Sequence, residues 1–181
     1  QHAEEVEQAL ARMNVLVRDY LQRYAASQML ARGIERLRDR HRNPILLKAG
    51  AHFRDLTGGS FSGLETDFDS RDRPTIVGVR PDGGRVFVQG MSDGTRDQLY
   101  LALRLAFIEH YCASEEPLPF IGDDLFVHFD DARTAAGLRL LSGLVCTQVI
   151  LFTHHQHVVD LARSTLGGRV HVLSLDGAGV L

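Results

Sequence analysis

No stretch of this chain approaches the roughly 18 consecutive apolar residues that a membrane-spanning helix requires. No basic segment followed by an apolar one opens it in the manner of a secretory leader, so the sequence reads as cytosolic with no membrane partner. Cysteine is scarce. Cys112 and Cys146 lie in apolar-periodic segments and lack CxxC spacing, which excludes the usual zinc or redox pair and favours free, buried thiols in a reducing compartment. A dominant charge is lacking too: 20 Lys and Arg against 23 Asp and Glu leave a formal net charge of −3. That balance gives no global basic signal for nucleic acid, and any DNA contact has to come from a local patch. Internal repeats and low-complexity tracts are absent. What remains is 181 residues, 44% hydrophobic and 24% charged, enough for one domain with a real core, or one domain plus an appendage.

The chain begins at Gln1 already inside a helical pattern, as a piece of a longer polypeptide would. Apolar residues recur at alternating steps of four and three (Val6, Leu10, Met13, Val17, Tyr20, Tyr24, then Ala31 and Ile34), a heptad-like seam. Arg12, Arg18, Arg23, Arg32, Arg36, Arg38, Arg40 and Arg42 make the outer faces locally basic. Residues 1–43 therefore read either as an amphipathic helix packed on its own domain or as the root of a coiled coil with its basic face near nucleic-acid phosphate. Asn43-Pro44 breaks the pattern, because proline removes a donor and disfavours helix in the residue before it.

A short helix is predicted over 45–56, stopping at Thr57-Gly58-Gly59. Three β-prone runs follow, 63–68, 75–80 and 85–89, the last two joined by the turn sequence Pro81-Asp82-Gly83-Gly84, which predicts a small antiparallel meander. Beyond it, helix (95–111), strand (118–122), helix (132–144), strand (147–153), helix (157–166) and strand (169–175) alternate. Such alternation predicts an α/β fold with a mostly parallel sheet and flanking helices.

In open α/β sheets ligands gather beyond the carboxyl ends of the strands. The run LPFIG delivers Asp123-Asp124, and Asp130 and Asp131 come shortly after. Hard oxygen donors suit Mg²⁺, and a second carboxylate can take a proton from an attacking water; acidic pairs also serve as helix caps and solvated turns. The run QVILFT delivers His154-His155-Gln156-His157. Three close imidazoles could hold a metal, but adjacent residues at a loop or helix start rarely face one ion, and a single histidine at a strand tip is better placed to meet a phosphate or orient a water. The helix near Thr95 opens on Ser92, Asp93 and Gly94, a hydroxyl and an uncrowded backbone at the positive end of a helix dipole. That arrangement suits an anionic oxygen, and it equally suits plain N-capping.

Taken in order, MSDGTRDQLYLALRLA, PLPFIGDDLFVHFDD and QVILFTHHQHVVDLA resemble the signature motif, the Walker B strand with its D-loop, and the switch-histidine loop of ABC-type ATPases. The resemblance is to the coiled-coil group containing SMC proteins and SbcC, within it to the YhaN-like branch, and it runs from about Pro44 to near the C-terminus. It implies that residues 44–181 are the C-terminal lobe of a P-loop ATPase head and residues 1–43 its coiled-coil root, with ATP and Mg²⁺ as cofactors. It further implies that Ser92 and Gly94 meet the γ-phosphate of ATP held by a facing head, with Asp93 and Thr95 beside them in the cofactor-binding turn and the Asp93 charge pointing away, and that Asp123 binds the magnesium shell. Asp124 falls at the general-base position, Asp130 and Asp131 in the D-loop, and His154 at the switch histidine, with His155 in reserve.

Three positions depart from the family pattern. Met91 precedes the serine where leucine is commoner, Asp93 fills a glycine place, and the base is aspartate where glutamate is commoner. A GxxxxGK[ST] phosphate loop is missing; Leu56-Thr57-Gly58-Gly59-Ser60 is the nearest imitation and has no lysine. In the family that loop belongs to an N-terminal lobe of the same polypeptide. The expectation is half of a composite ATPase, inactive alone, that dimerises with a second head, works on DNA, and is served by a metal-dependent nuclease subunit. Two rivals stand beside it: a Toprim-like metal-dependent phosphohydrolase or nuclease using Asp123, Asp124 and Asp130, and a non-catalytic dimerisation or DNA-binding module.

Overall fold

The computed structural model describes residues 12–13, 16–29, 43–71 and 73–175, and divides into two units, Gln1–Arg42 and Asn43–Leu181. In the first unit residues 16–29 form a helix, α1. Val17, Tyr20 and Tyr24 of the seam are all exposed. The Tyr20 and Tyr24 rings stack with centroids 6.2 Å apart, and Asp19 and Arg23 pair at 2.9 Å, both at the i, i+4 spacing that places side chains on one helical face. Val6, Leu10, Ala31, Ile34 and the arginines from Arg32 to Arg42 lie outside the described residues.

The second unit opens with α2 (Pro44–Leu56). Asn43 is extended, as a residue before proline prefers, and its side chain accepts the Ile45 N–H at 2.9 Å. Proline at the first helical position sacrifices no internal hydrogen bond. At the far end the Thr57 hydroxyl donates to the Phe53 carbonyl at 2.8 Å, and Gly58 and Gly59 turn the chain away with φ of 60° and 81°.

The meander is β1 (Gly63–Phe68), β2 (Pro74–Val79) and β3 (Arg85–Phe87), antiparallel in that order. Its tight turn is closed by Arg80 N–H to Gly84 O at 2.8 Å, with Gly83 at φ 84°. The third run stops as strand at Phe87, and Val88–Gly90 coil into a 3-10 turn that leads to the next helix.

Then come α3 (Asp93–Tyr111), β4 (Phe120–Asp123), α4 (Asp131–Ser142), β5 (Val149–Phe152) and α5 (Gln156–Leu166). β4 and β5 pair in parallel, Phe120 opposite Val149 and Asp123 opposite Phe152, so both strands deliver their following residues at the same level. The core is continuous: Phe53 and Leu56 of α2, Leu99 and Leu105 of α3 and Leu138 of α4 are fully buried, with the Phe53 and Phe61 rings 4.8 Å apart. Two expectations need correction. Residues 170–175 form no strand; among the described residues the parallel sheet is β4 and β5 alone, and this segment has no ladder to join. The cysteines are free but only half-buried, and the two thiols interact, a hydrogen bond that the Cys112 thiol donates to Cys146 together with burial holding the Cys112 pKa above its usual value.

Candidate functional site

Because β4 and β5 end in register, Asp123-Asp124 and Thr153-His154 emerge side by side. Asp124 extends the ladder by donating its N–H to the Phe152 carbonyl at 3.0 Å. It then turns left-handed, φ 45°, a conformation uncommon outside glycine and most tolerated by Asp and Asn. This turn brings its carboxylate to the other strand end, where Oδ2 lies 2.7 Å from Nδ1 of His154. The second oxygen, Oδ1, is buried without a hydrogen-bond partner among the described residues. Burial raises the Asp124 pKa, but the Thr153 hydroxyl and the His154 ring favour the charged form more strongly and hold it below its ordinary value. Asp123 is exposed at the end of β4.

His155 caps α5 through its backbone only, and its ring lies against that of His154, centroids 3.9 Å apart. The ligating atoms of Asp124, His154 and His155 all lie within 4.8 Å of one another, so two of the three neighbouring imidazoles approach the same carboxylate. His157 faces another way, 3.8 Å from Asp131 at the start of α4. Asp123 and Asp130 join no such group among the described residues, so the three-aspartate cluster of a Toprim-like site does not assemble.

At the head of α3, Ser92 is the N-cap: its Oγ accepts the Thr95 N–H at 3.3 Å and lies 2.9 Å from the Thr95 hydroxyl. Asp93 pairs with Arg96, which neutralises the charge standing in the glycine place. Gly94 has a packing reason to be glycine, since a Cβ there would sit 2.6 Å from the His128 carbonyl oxygen. The same loop is tied to α3 a second time by Asp97 Oδ2 and His128 Nδ1 at 2.6 Å. Asp130 caps α4, accepting the Arg133 N–H at 2.8 Å. Hence Ser92 and Asp130 both serve their own helices in this conformation.

No family model matches the chain. It is 35% identical over 155 residues to the uncharacterized protein YhaN of Bacillus subtilis (strain 168), covering 82% of this chain and 16% of that protein. A solved structure from work on ATP-driven dimerization and DNA-stimulated activation of SMC ATPases superposes with a TM-score of 0.52 at 17% identity, over 67% of this chain and 71% of that one. An Smc head domain with an extended coiled coil, bound to the C-terminal domain of ScpA and derived from Pyrococcus furiosus, gives 0.51 at 17% identity, over 67% and 30%. The chain has the fold of the C-terminal lobe of an SMC-like ATPase head. In this lobe the motifs lie where the alternating pattern puts them: the signature-like turn heads α3, the paired aspartates end β4, and the histidines follow β5.

Sequence reasoning missed the Asp97–His128 tie and the role of Thr153 beside Asp124. Neither has a local signal, because each joins positions some thirty residues apart. It also missed Gln98, fully buried with both amide atoms unpartnered. The helical period that places Leu99, Ala102 and Leu105 inside also turns Gln98 inward.

The carboxylates present fit the Mg²⁺ that the resemblance implies. Asp123 offers exposed carboxylate oxygens of the hard kind Mg²⁺ prefers, and the partnerless Asp124 oxygen leaves an acceptor for a water proton.

Proposed function

We propose that this lobe is half of a composite ATPase head in which residues 1–43 are the root of a coiled coil and an N-terminal lobe of the same polypeptide supplies the phosphate loop. The observation that carries this reading is the convergence of Asp124 and His154 from two strand ends, 2.7 Å apart, beside the exposed Asp123. Asp123 would hold the Mg²⁺ that accompanies ATP; the ion supplies charge neutralisation at the phosphates. Asp124 would accept the proton of the attacking water through its carboxylate. The Thr153 hydroxyl and the His154 ring keep it ionised, the form that can accept a proton. His154 would orient Asp124 and the water. Ser92, Asp93, Gly94 and Thr95 would face the nucleotide of a second head in a homodimer, the Ser92 hydroxyl and the first α3 amides donating to phosphate oxygen. Asp130 and Asp131 would line the junction between heads.

An uncovered sheet face supports the missing lobe. Ile121 points outward from β4 at 65% exposure and Phe152 closes β5 at 45%, whereas parallel strands are ordinarily covered on both faces. The exposed seam of α1 calls for a partner helix in the same way. Dimerisation on ATP would be a two-state switch driven by affinity for the γ-phosphate. The work it drives would be DNA processing in the cytoplasm, with a metal-dependent nuclease subunit as a further partner. That DNA role rests on the basic residues of 1–43 and on the resemblance, and binding to DNA should weaken with salt.

The test is steady-state ATP turnover by the full-length polypeptide. Asp124→Asn and Ser92→Arg should each lower kcat at least about 100-fold, as loss of one charge-stabilising or proton-accepting group does. Turnover unchanged by both would refute the assignment. The 181-residue chain alone should show none.

A further inference from the structure

We infer that Asp124, His154 and His155 form a binding site for one divalent ion of the zinc class, separate from the Mg²⁺ assigned to Asp123. Three different donors meet here: a carboxylate from the end of β4 and two imidazoles from the end of β5, with ligating atoms all within 4.8 Å of one another. Zinc held tetrahedrally at about 2.0 to 2.2 Å needs its ligands about 3.3 Å apart, so the wider separations have to close modestly and the 2.7 Å hydrogen bond between Asp124 and His154 has to give way to the ion. The side chain that must move most freely can do so, since His154 is 72% exposed. Asp124 has a buried oxygen with no partner, a lone pair that an ion would satisfy. Its left-handed backbone already carries the carboxylate across to the histidines.

The donor chemistry selects the ion. Two neutral imidazoles and one carboxylate suit Zn²⁺ or Co²⁺, and they are a poor shell for Mg²⁺, which demands six oxygens and dehydrates reluctantly. A fourth, open position would hold water. Cysteine is not needed, and the neutral ligand pair leaves the carboxylate to offset the ion's charge. The N-terminus of α5 opposes a cation weakly, which argues for moderate affinity and a reversible site. An ion bound here would hold Asp124 and His154 away from water and so inhibit hydrolysis; that consequence rests on the ATPase reading, whereas the binding does not.

The experiment titrates Co²⁺ into the 181-residue chain carrying Cys112→Ser and Cys146→Ser, so that thiolate ligation is excluded. The expected result is one equivalent bound, with the visible absorption of low-coordinate cobalt, displaced by Zn²⁺ and indifferent to Mg²⁺. Asp124→Asn and His155→Gln should each weaken binding about tenfold or more, while His128→Gln and His157→Gln leave it unchanged. Circular dichroism establishes that each variant is folded. Absence of saturable binding, or binding that survives both Asp124→Asn and His155→Gln, overturns the inference. The two readings separate cleanly: cobalt bound as described by a chain whose full-length parent lacks ATPase activity would sink the ATPase reading alone, and a Zn²⁺-insensitive, cobalt-free but active parent would sink this one alone.

Discussion

At the scale of single residues, two carboxylates are held in their charged form by the groups around them. Asp124 loses hydration yet stays ionised, because the Thr153 hydroxyl and the His154 ring outweigh the burial. Asp69 is held below its ordinary value by the Arg73 N–H and then by the Arg73 guanidinium. Both shifts are downward, so the fold favours the charged forms. The stability they contribute is complete above the unfolded carboxylate range, near about pH 4, and is lost as pH falls through their lowered folded values. Urea midpoints measured from about pH 6 down to pH 3 should decline in the wild type and decline less steeply in Asp69→Asn. Gly94 gives a sharper case. A methyl group there meets the His128 carbonyl at 2.6 Å, and Gly94→Ala should destabilise by about 1–3 kcal/mol, read as a lowered urea midpoint at unchanged slope.

At the scale of elements, two residues proposed to meet a second head are helix caps. Ser92 closes α3 and Asp130 closes α4 with their own side chains, so each substitution to alanine should cost about 1 kcal/mol of stability, measurable by thermal or denaturant unfolding. A ligand phosphate would compete for the Ser92 hydroxyl. Most elements were legible in the sequence for physical reasons: Asn43-Pro44, Ser92 and Asp130 announce helix starts, Gly58-Gly59 a stop, and Asp82-Gly83 a hairpin, all through local backbone chemistry. The strand expected over 169–175 failed because alternation describes a side chain's preference, while a strand also needs a neighbour. The site divides along the same line. Asp123, Asp124 and His154 could be placed because strand ends are predictable; Asp97 with His128, and Thr153 beside Asp124, depend on which distant segments meet. The approach of Asp124 to both His154 and His155 likewise has no local signal, because it joins the ends of two different strands.

At the scale of the whole molecule, one sheet face is left uncovered. Ile121 and Phe152 face outward from a two-stranded parallel sheet, and the chain spans 16% of the YhaN protein it matches. Ile121→Glu should leave the melting temperature of the isolated chain nearly unchanged, because the side chain is already exposed, but should abolish co-purification with the N-terminal lobe proposed above. The most direct measurement is ATP turnover by this chain with and without that N-terminal lobe. The expected result is no turnover from the chain alone, and turnover on mixing that disappears with Asp124→Asn. Robust hydrolysis by the isolated chain, or a mixed sample indifferent to Asp124, would contradict it.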